Sequence, residues 1–404
     1  MTLIVKKYGG SSLSSLAKLR SIAKIVHESH SYANHKLVIV LSAMGSSTDN
    51  LVDLSKKAVK EANPRDFDML LSTGEQVSIA MLSMLINNLG GRAVPLTGWQ
   101  AGIKTDSSHT NARIKAINTK RIRAELRKSN IVIIAGFQGQ TSDNNISTLG
   151  RGGSDTTAVA LAASLKADEC QIYTDVDGVY TTDPRICPKA RRLDLLTYEE
   201  MLEMSGLGSK VLQLRSVEFA SKYNVPIRVL HAHKNQALGT LITKEEKKME
   251  GALISGIAFT KDEAEIMIKG VKDQPGVAAK ILGPIGAAKI EIDMIVQNVG
   301  SNGLADFTFT VSRNTLKNAI KVIEKNKKIM GYDSFDTKNN IVKVSLIGVG
   351  MRSHAGIASK MFKCLARNKV NIRMISTSEI KISVVIDQKN LEIAVQALHN
   401  EFKL

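Results

Sequence analysis

A repeat in the last third of the chain constrains its architecture more than any other feature. Gly276-Val277-Ala278-Ala279-Lys280 recurs as Gly356-Ile357-Ala358-Ser359-Lys360, an offset of 80 residues. At the same offset, Lys289-Ile290-Glu291-Ile292-Asp293-Met294-Ile295 recurs as Lys369-Val370-Asn371-Ile372-Arg373-Met374-Ile375. Two stretches that keep one spacing point to a duplicated module. Each copy reads strand, turn, helix, strand, strand, helix, the βαββαβ-like plan of a small α+β sandwich. The modules are expected at residues 264–337 and 342–404. Two copies do not make a solenoid; they suit a regulatory or dimerisation pair.

Ahead of the pair, residues 1–245 alternate strand-like and helical runs, the pattern of an α/β domain. Val38-Ile39-Val40-Leu41, Ile131-Val132-Ile133-Ile134 and Gln171-Ile172-Tyr173 are short and β-branched, as buried parallel strands are. Amphipathic helices are expected over 16–27 and 69–89. Together they predict an open, mostly parallel sheet sandwiched by helices. Lys244-Glu245-Glu246-Lys247-Lys248 then reads as a charged linker.

Composition narrows the functional class. Among 404 residues, 43% are hydrophobic and 23% charged, which sets disorder and fibres aside. No uninterrupted apolar run approaches the roughly 18 residues of a membrane span. Met1-Thr2-Leu3-Ile4-Val5-Lys6-Lys7 runs straight into a strand without a leader pattern. Three scattered cysteines, Cys170, Cys187 and Cys364, suit reduced thiols, so a cytoplasmic location is expected. The net charge of +17 raises nucleic acid as a partner, but the lysines are dispersed and aromatics are only 4%. A mild positive field also serves anionic small substrates, and nucleic-acid binding is kept as a secondary alternative.

Three loops could carry chemistry. Lys7-Tyr8-Gly9-Gly10-Ser11-Ser12 lies between a strand and a helix expected near Leu13. Its glycines would let backbone N–H groups approach a phosphate, helped by a helix N-terminus and the Lys7 cation. A tight turn with an exposed lysine explains it equally well. No Walker A or G-x-G-x-x-G pattern occurs in this block. Gly150-Arg151-Gly152-Gly153-Ser154-Asp155-Thr156-Thr157 again opens a helix. Arg151 could clamp a carboxylate, and Asp155 could receive an ammonium or cap the helix. Tyr173-Thr174-Asp175-Val176-Asp177-Gly178-Val179-Tyr180-Thr181-Thr182-Asp183-Pro184-Arg185 follows a strand end, where ligands bind in open α/β sheets. It could also be only a polar turn. Gly74 in Leu71-Ser72-Thr73-Gly74-Glu75 costs a helix about 1 kcal/mol against Ala and needs a reason. Histidines such as His231 and His233 lack companions at ligand spacing, so no metal centre is expected.

In combination these segments resemble the aspartate kinase family of the amino acid kinase superfamily. Lys7 to Ser12 is similar to its K-F-G-G-T-S opening, with Tyr8 for Phe and Ser11 for Thr. Ser42-Ala43-Met44-Gly45, Ser72-Thr73-Gly74-Glu75, Gly136-Phe137-Gln138-Gly139, the loop around Arg151, the stretch from Tyr173 and Lys210-Val211-Leu212 are similar to family blocks in order. The duplicated modules are similar to tandem ACT domains, and Asp273-Gln274-Pro275-Gly276 resembles their D-x-P-G turn. The second module has Ala355 where proline is common.

The resemblance implies phosphoryl transfer from ATP, with Mg²⁺, to the side-chain carboxylate of L-aspartate, giving 4-phospho-L-aspartate for the lysine, threonine, methionine and diaminopimelate branch. Lys7 and Asp155 would be the catalytic residues. Ser42, Glu75, Arg151, Gly152, Gly153 and Ser154 would bind aspartate. Around ATP it implies Lys7, Tyr8, Gly9, Gly10, Thr174 and Asp175, then Tyr180, Asp183, Arg185, Lys210 and Val211. An effector amino acid, lysine or threonine or both, would meet Asp273, Ala278, Ile292, Asp293, Gln297 and Asn298. A homo-oligomer through the ACT domains is expected, with or without a small regulatory subunit, and no membrane partner. The rivals are a relative that phosphorylates another small acid or carbamate, and an amino-acid sensor without turnover.

Overall fold

The computed structural model describes residues 2–31, 35–208, 211–234, 238–244, 253–300, 303–353 and 356–404. Lys210, Ala355 and most of the expected charged linker lie outside these described residues. The chain forms two units, Met1–Tyr180 with Arg192–Met249, and Thr181–Arg191 with Glu250–Leu404.

The strands of the first unit are β1 (Leu3–Tyr8), β2 (Lys36–Leu41), β3 (Ala93–Leu96), β4 (Ile103–Thr105), β5 (Ile114–Ile117) and β6 (Ile131–Ala135). They continue as β7 (Gln138–Gln140), β8 (Ile146–Thr148), β9 (Glu169–Thr174), β10 (Leu195–Thr197), β11 (Ile227–His231) and β12 (Thr240–Thr243). Its helices are α1 (Leu16–Ser31), α2 (Ser47–Ala58), α3 (Pro64–Asn88), α4 (Lys120–Arg127), α5 (Gly153–Leu165), α6 (Tyr198–Gly206) and α7 (Leu214–Tyr223). Eight strands form the main sheet in the order β10-β12-β11-β9-β1-β2-β6-β3, parallel except for the β11/β12 pair. β5-β4-β7-β8 make a small second sheet. The β-branched runs sit at the centre because helices cover both faces and no side chain there meets water; Val38, Ile39, Val40, Ile131, Val132 and Ile133 are fully buried.

Register aligns the carboxyl ends of the central strands. Tyr8 is opposite both Leu41 and Tyr173, and Leu41 is opposite Ala135. The Lys7 loop, the Ser42 loop and the stretch from Tyr173 therefore emerge at the same end of one sheet, whereas the Gly150 loop follows β8 of the small sheet. Helix α3 starts earlier than the expected 69–89 because Asn63 accepts the N–H of Arg65 at 3.0 Å and Pro64 takes the first helical position. By length and composition α3 could cross a membrane, yet half of its apolar stretch is buried in the fold. Its inward face carries Asp68, Ser72, Glu75 and Ser78, as befits a core helix beside a polar site.

The second unit contains β13 (Gly256–Lys272), α8 (Val277–Ala287), β14 (Ile292–Val299), β15 (Leu304–Val311), α9 (Arg313–Lys325), α10 (Lys327–Met330) and β16 (Ser334–Ile347). It ends with α11 (Ile357–Arg367), β17 (Ile372–Thr377), β18 (Lys381–Asp387) and α12 (Leu391–Phe402). One six-stranded sheet, β14-β15-β13-β16-β18-β17, runs through both modules. The long β13 and β16 serve both. Residues 264–272 of β13 pair with β15 in the first module, whereas 256–260 pair with the part of β16 that opens the second. The second module thus takes its fourth strand from ahead of the first, outside the expected 342–404.

A further departure lies in Thr181–Arg191, which was assigned to the first 245 residues but belongs to the second unit. Ile186 and Cys187 are buried in the apolar core of the second module with Met361, Leu365, Val395 and Leu398. Gln396 Nε2 donates to the Ile186 carbonyl at 2.9 Å, and Ile257 N–H to the Thr181 carbonyl at 2.7 Å. Thr181 Oγ1 and His399 Nε2 lie 3.0 Å apart in the same buried layer. Replacing Ile186 with Ala should cost about 2–5 kcal/mol, as for other large-to-small core changes. Hydrogen exchange should show lost protection in α11 and α12 with α3 unchanged; lost protection in α3 would place the segment in the other core.

Candidate active site

Strand alternation sorts the two lysines of β1 to opposite faces. Lys6 Nζ donates to Ser29 Oγ at 2.9 Å, and burial lowers its pKa to about 8 against the raising influence of Glu169. Lys7 points into the cleft at the strand ends, where Nζ meets Asp155 Oδ1 at 2.5 Å with both side chains about nine-tenths buried. The amine sits over Gly9, 3.4 Å from where a Cβ would be. The Lys7 loop and the Ser42 loop are locked together. Ser42 N–H donates to the Tyr8 carbonyl at 3.2 Å, Gly45 N–H to the Gly10 carbonyl at 3.0 Å, and a Cβ on Gly10 would come within 2.8 Å of the Ala43 carbonyl oxygen.

Two expectations about this loop change. An α-helix does not begin near Leu13: Gly10–Leu13 is a 3₁₀ turn and α1 starts at Leu16. An anion there would therefore rely on local N–H groups and Lys7, with little help from a helix dipole. The Gly9 N–H already reaches the Tyr173 carbonyl at 3.4 Å. Tyr8 has no exposed surface, and its ring stacks on Tyr173 at 4.6 Å, so only its main chain is open to a ligand.

Glycine in α3 has its reason. A Cβ on Gly74 would lie 2.9 Å from Ala43 Cβ, so its absence lets the helix press onto the Ser42 loop. Next to it Glu75 accepts the Ala43 N–H at 3.1 Å through Oε1, while Oε2 is buried without a partner among the described residues. Burial pushes the Glu75 carboxyl up to about 7 against the lowering effect of backbone N–H groups. A buried carboxylate with a free oxygen is prepared for a cation.

The third wall is the start of α5. Gly152, in the left-handed region at φ 72°, caps this helix, and a Cβ there would collide with Gln213. Asp155 thus does not cap the helix but turns to Lys7. Ser154 packs on Gly136, whose Cβ position would lie 2.8 Å from Ser154 Oγ. Arg151 is exposed, and no ion pair holds it among the described residues. Thr174 Oγ1 donates to Asp175 Oδ1 at 3.0 Å, and Tyr180 OH to Asp177 Oδ1 at 2.8 Å. The structure therefore brings together Lys7, Gly9, Gly10, Ser42, Glu75, Ser154 and Asp155, with Thr174 and Asp175 on the neighbouring strand end. Asp183 and Arg185 lie in the second unit and pair with each other at 2.7 Å, and Val211 is half-buried where the described residues resume after 210.

Among the effector candidates, Gln297 Nε2 donates to Asp273 Oδ1 at 3.4 Å, beside Ala278 in the first turn of α8. Ile292, Asp293, Gln297 and Asn298 follow the edge strand β14. Asp293 is engaged by Lys343, which also pairs with Glu263 at 3.2 Å. Sequence reasoning passed over Asp68, a fully buried carboxylate of α3, and Arg215 of α7. An acidic residue on the inward face of an apolar helix was the available signal.

A Lys7–Asp155 pair and the buried Glu75 carboxylate stand where glycine-rich loops leave a parallel sheet, a place where α/β enzymes bind small anionic ligands. The amino acid kinase family matches residues 2–231, and ACT domains match 265–327 and 344–402. Aspartate kinase of Pseudomonas putida is 57% identical over 100% of this chain and 98% of its own. Aspartokinase of Helicobacter pylori is 47% identical over 100% and 99%. Among solved structures, Clostridium acetobutylicum aspartate kinase superposes with a TM-score of 0.80 at 25% identity, covering 99% of this chain and 100% of its own. The chain belongs to the aspartate kinases of the amino acid kinase family, phosphotransferases with a carboxyl acceptor.

Glu75 gives a stability test. Its folded pKa exceeds the unfolded value of 4.5, so the folded state binds the extra proton between the two. Stability should fall as pH rises from about 4.5 to about 7, by on the order of 3 kcal/mol. Urea unfolding at pH 5 and pH 8 should show this loss in the wild type and not in Glu75→Gln; equal slopes would remove the burial argument.

Proposed function

We propose that the chain transfers the γ-phosphoryl of ATP to the side chain of L-aspartate at the Lys7–Asp155 centre, under control of amino acids bound to its ACT pair. The observation that carries this is Glu75, buried with an unpartnered Oε2 one loop away from Lys7. It suits the ammonium of an amino acid, and the free guanidinium of Arg151 suits the α-carboxylate. Ser42 and Ser154 add hydrogen bonds, and Gly152 and Gly153 are assigned to the same ligand through their main chain. The acceptor carboxylate is already ionised at neutral pH, so no general base is needed. Its oxygen bonds to the γ-phosphorus as the bond to the ADP oxygen breaks. Catalysis is then positioning plus neutralisation of charge on the transferring group, which falls to Lys7. Asp155 holds that amine in place and faces the substrate ammonium.

Thr174, Asp175 and Tyr180 are assigned to ATP from the strand end, with Asp183, Arg185, Lys210 and Val211 from the segments that follow. Mg²⁺ bound with the nucleotide would supply further charge neutralisation, since it prefers phosphate and water to an all-protein cage. The acidic groups of the site, Asp155 and Asp175, fit an ion brought in this way. Regulation by lysine, threonine or both is assigned to the open edge at β14, with oligomers forming through the ACT pair. The pathway reading follows from the product, and three buried free cysteines suit a reducing cytoplasm.

Hydroxylamine trapping with ATP and Mg²⁺ should give a hydroxamate from L-aspartate and not from L-glutamate, reduced by lysine, threonine or their mixture. No hydroxamate from any acid by folded protein would reject the reading. Lys7→Ala should lower kcat by about 10³-fold or more while the melting temperature is kept. Near-normal turnover would remove Lys7 from the reaction.

A further inference from the structure

We propose that Asp68 is a positioning residue that holds Arg151 at the spacing from Glu75 that an aspartate-sized substrate requires. The inference rests on the functional reading above and deepens it.

Asp68 has no exposed surface, and no lysine or arginine pairs with it among the described residues. Its carboxylate instead gathers donors from two segments. Thr148 Oγ1 donates to Oδ1 at 2.5 Å, Thr110 N–H reaches both oxygens at 3.1 and 3.0 Å, and His109 Nδ1 donates to Oδ2 at 2.8 Å. Burying a carboxylate is costly unless its oxygens are satisfied in this way. An apolar residue would hold a helix to a loop at less cost, so the network points to a demand for fixed geometry.

Both segments lead to Arg151. Thr148 ends β8 three residues before it. The loop carrying His109 and Thr110 supports Gly150 from below. Gly150 adopts φ 74°, and a Cβ there would lie 3.0 Å from Asn111 Oδ1 and 3.1 Å from the Thr110 carbonyl oxygen. Arg215 closes the far side, donating to Asn111 Oδ1 at 3.2 Å and to the carbonyls of Leu149 at 2.6 Å and Ala112 at 3.1 Å. Ala112 N–H donates to the Thr148 carbonyl at 2.9 Å. Asp68 and Glu75 stand on the same buried face of α3, seven residues and about two turns apart. One rigid helix therefore carries the acceptor for the substrate ammonium and the brace for the arginine that takes its carboxylate. Neither His109 nor Thr148 is assigned to substrate, so Asp68 acts through the loops alone.

The test is steady-state kinetics on the full-length enzyme. Asp68→Asn should raise KM for L-aspartate by about 10-fold or more, with kcat and KM for ATP within about twofold of wild type. Thr148→Val and His109→Leu each remove one donor and should raise the same KM by about three- to fivefold, which keeps the proposal testable if Asp68→Asn does not fold. Loss of kcat and melting temperature together, with KM for aspartate unchanged, would overturn it and leave a purely structural network. Wild-type enzyme that forms no hydroxamate would instead reject the functional reading itself, a failure visible before any variant is made.

Discussion

The contact between Lys7 and Asp155 is the interaction on which the first unit is organised. Two opposite charges are taken out of water, which is tolerable only when each satisfies the other at close range, here 2.5 Å. Meeting that condition dictates much around it. β1 must deliver Lys7 on the cleft face while Lys6 goes to the other. α5 must begin with glycine so that Asp155, in its first turn, reaches the strand end. The Ser42 loop and α3 must close from the side, which Gly10 and Gly74 allow by having no Cβ. The ion pair is thus a constraint that the surrounding loops are folded to meet.

In the second unit the constraint is symmetry and its breaking. Glu263 and Lys343 occupy equivalent positions of the repeat, as do Asp293 and Arg373, at the offset of 80 residues. In both cases the sign of the charge is reversed between copies. Lys343 pairs with Glu263 and Asp293, and Arg373 holds Glu265 with bonds of 2.8 and 3.0 Å. Each copy thus offers what the other lacks, which favours pairing of the two different modules over pairing of like with like. The long shared strands then make the junction a continuous ladder.

The sequence made the central sheet readable because its strands are β-branched, buried on both faces and followed by glycine-rich loops, so periodicity and turn chemistry agree. The module pair was readable from the repeat alone. Three features were hidden for physical reasons. The 3₁₀ turn at Gly10–Leu13 and the helix at Leu16 share one apolar pattern, and spacing does not separate them. Strand 256–260 pairs with residues some 85 positions later, and no local signal records a partner that distant. Asp68 falls just ahead of the helix expected over 69–89, and its donors come from segments about 40 and 80 residues away.

The position of Thr181–Arg191 bears on how two units can act as one enzyme. Allosteric control requires two states and a physical link that feels both. Here the link is covalent. The strand end bearing Thr174 and Asp175 continues through Tyr180, whose hydroxyl is fixed on Asp177, into a segment whose Ile186 and Cys187 lie in the core of the second module. Tyr180 and Arg192 pair as the chain leaves and returns, so the excursion is pinned at its base. His399 of α12 meets Thr181 and Gln396 of α12 holds the Ile186 carbonyl, so the excursion is fastened to that helix. Only one peptide bond separates Thr181 from the first unit.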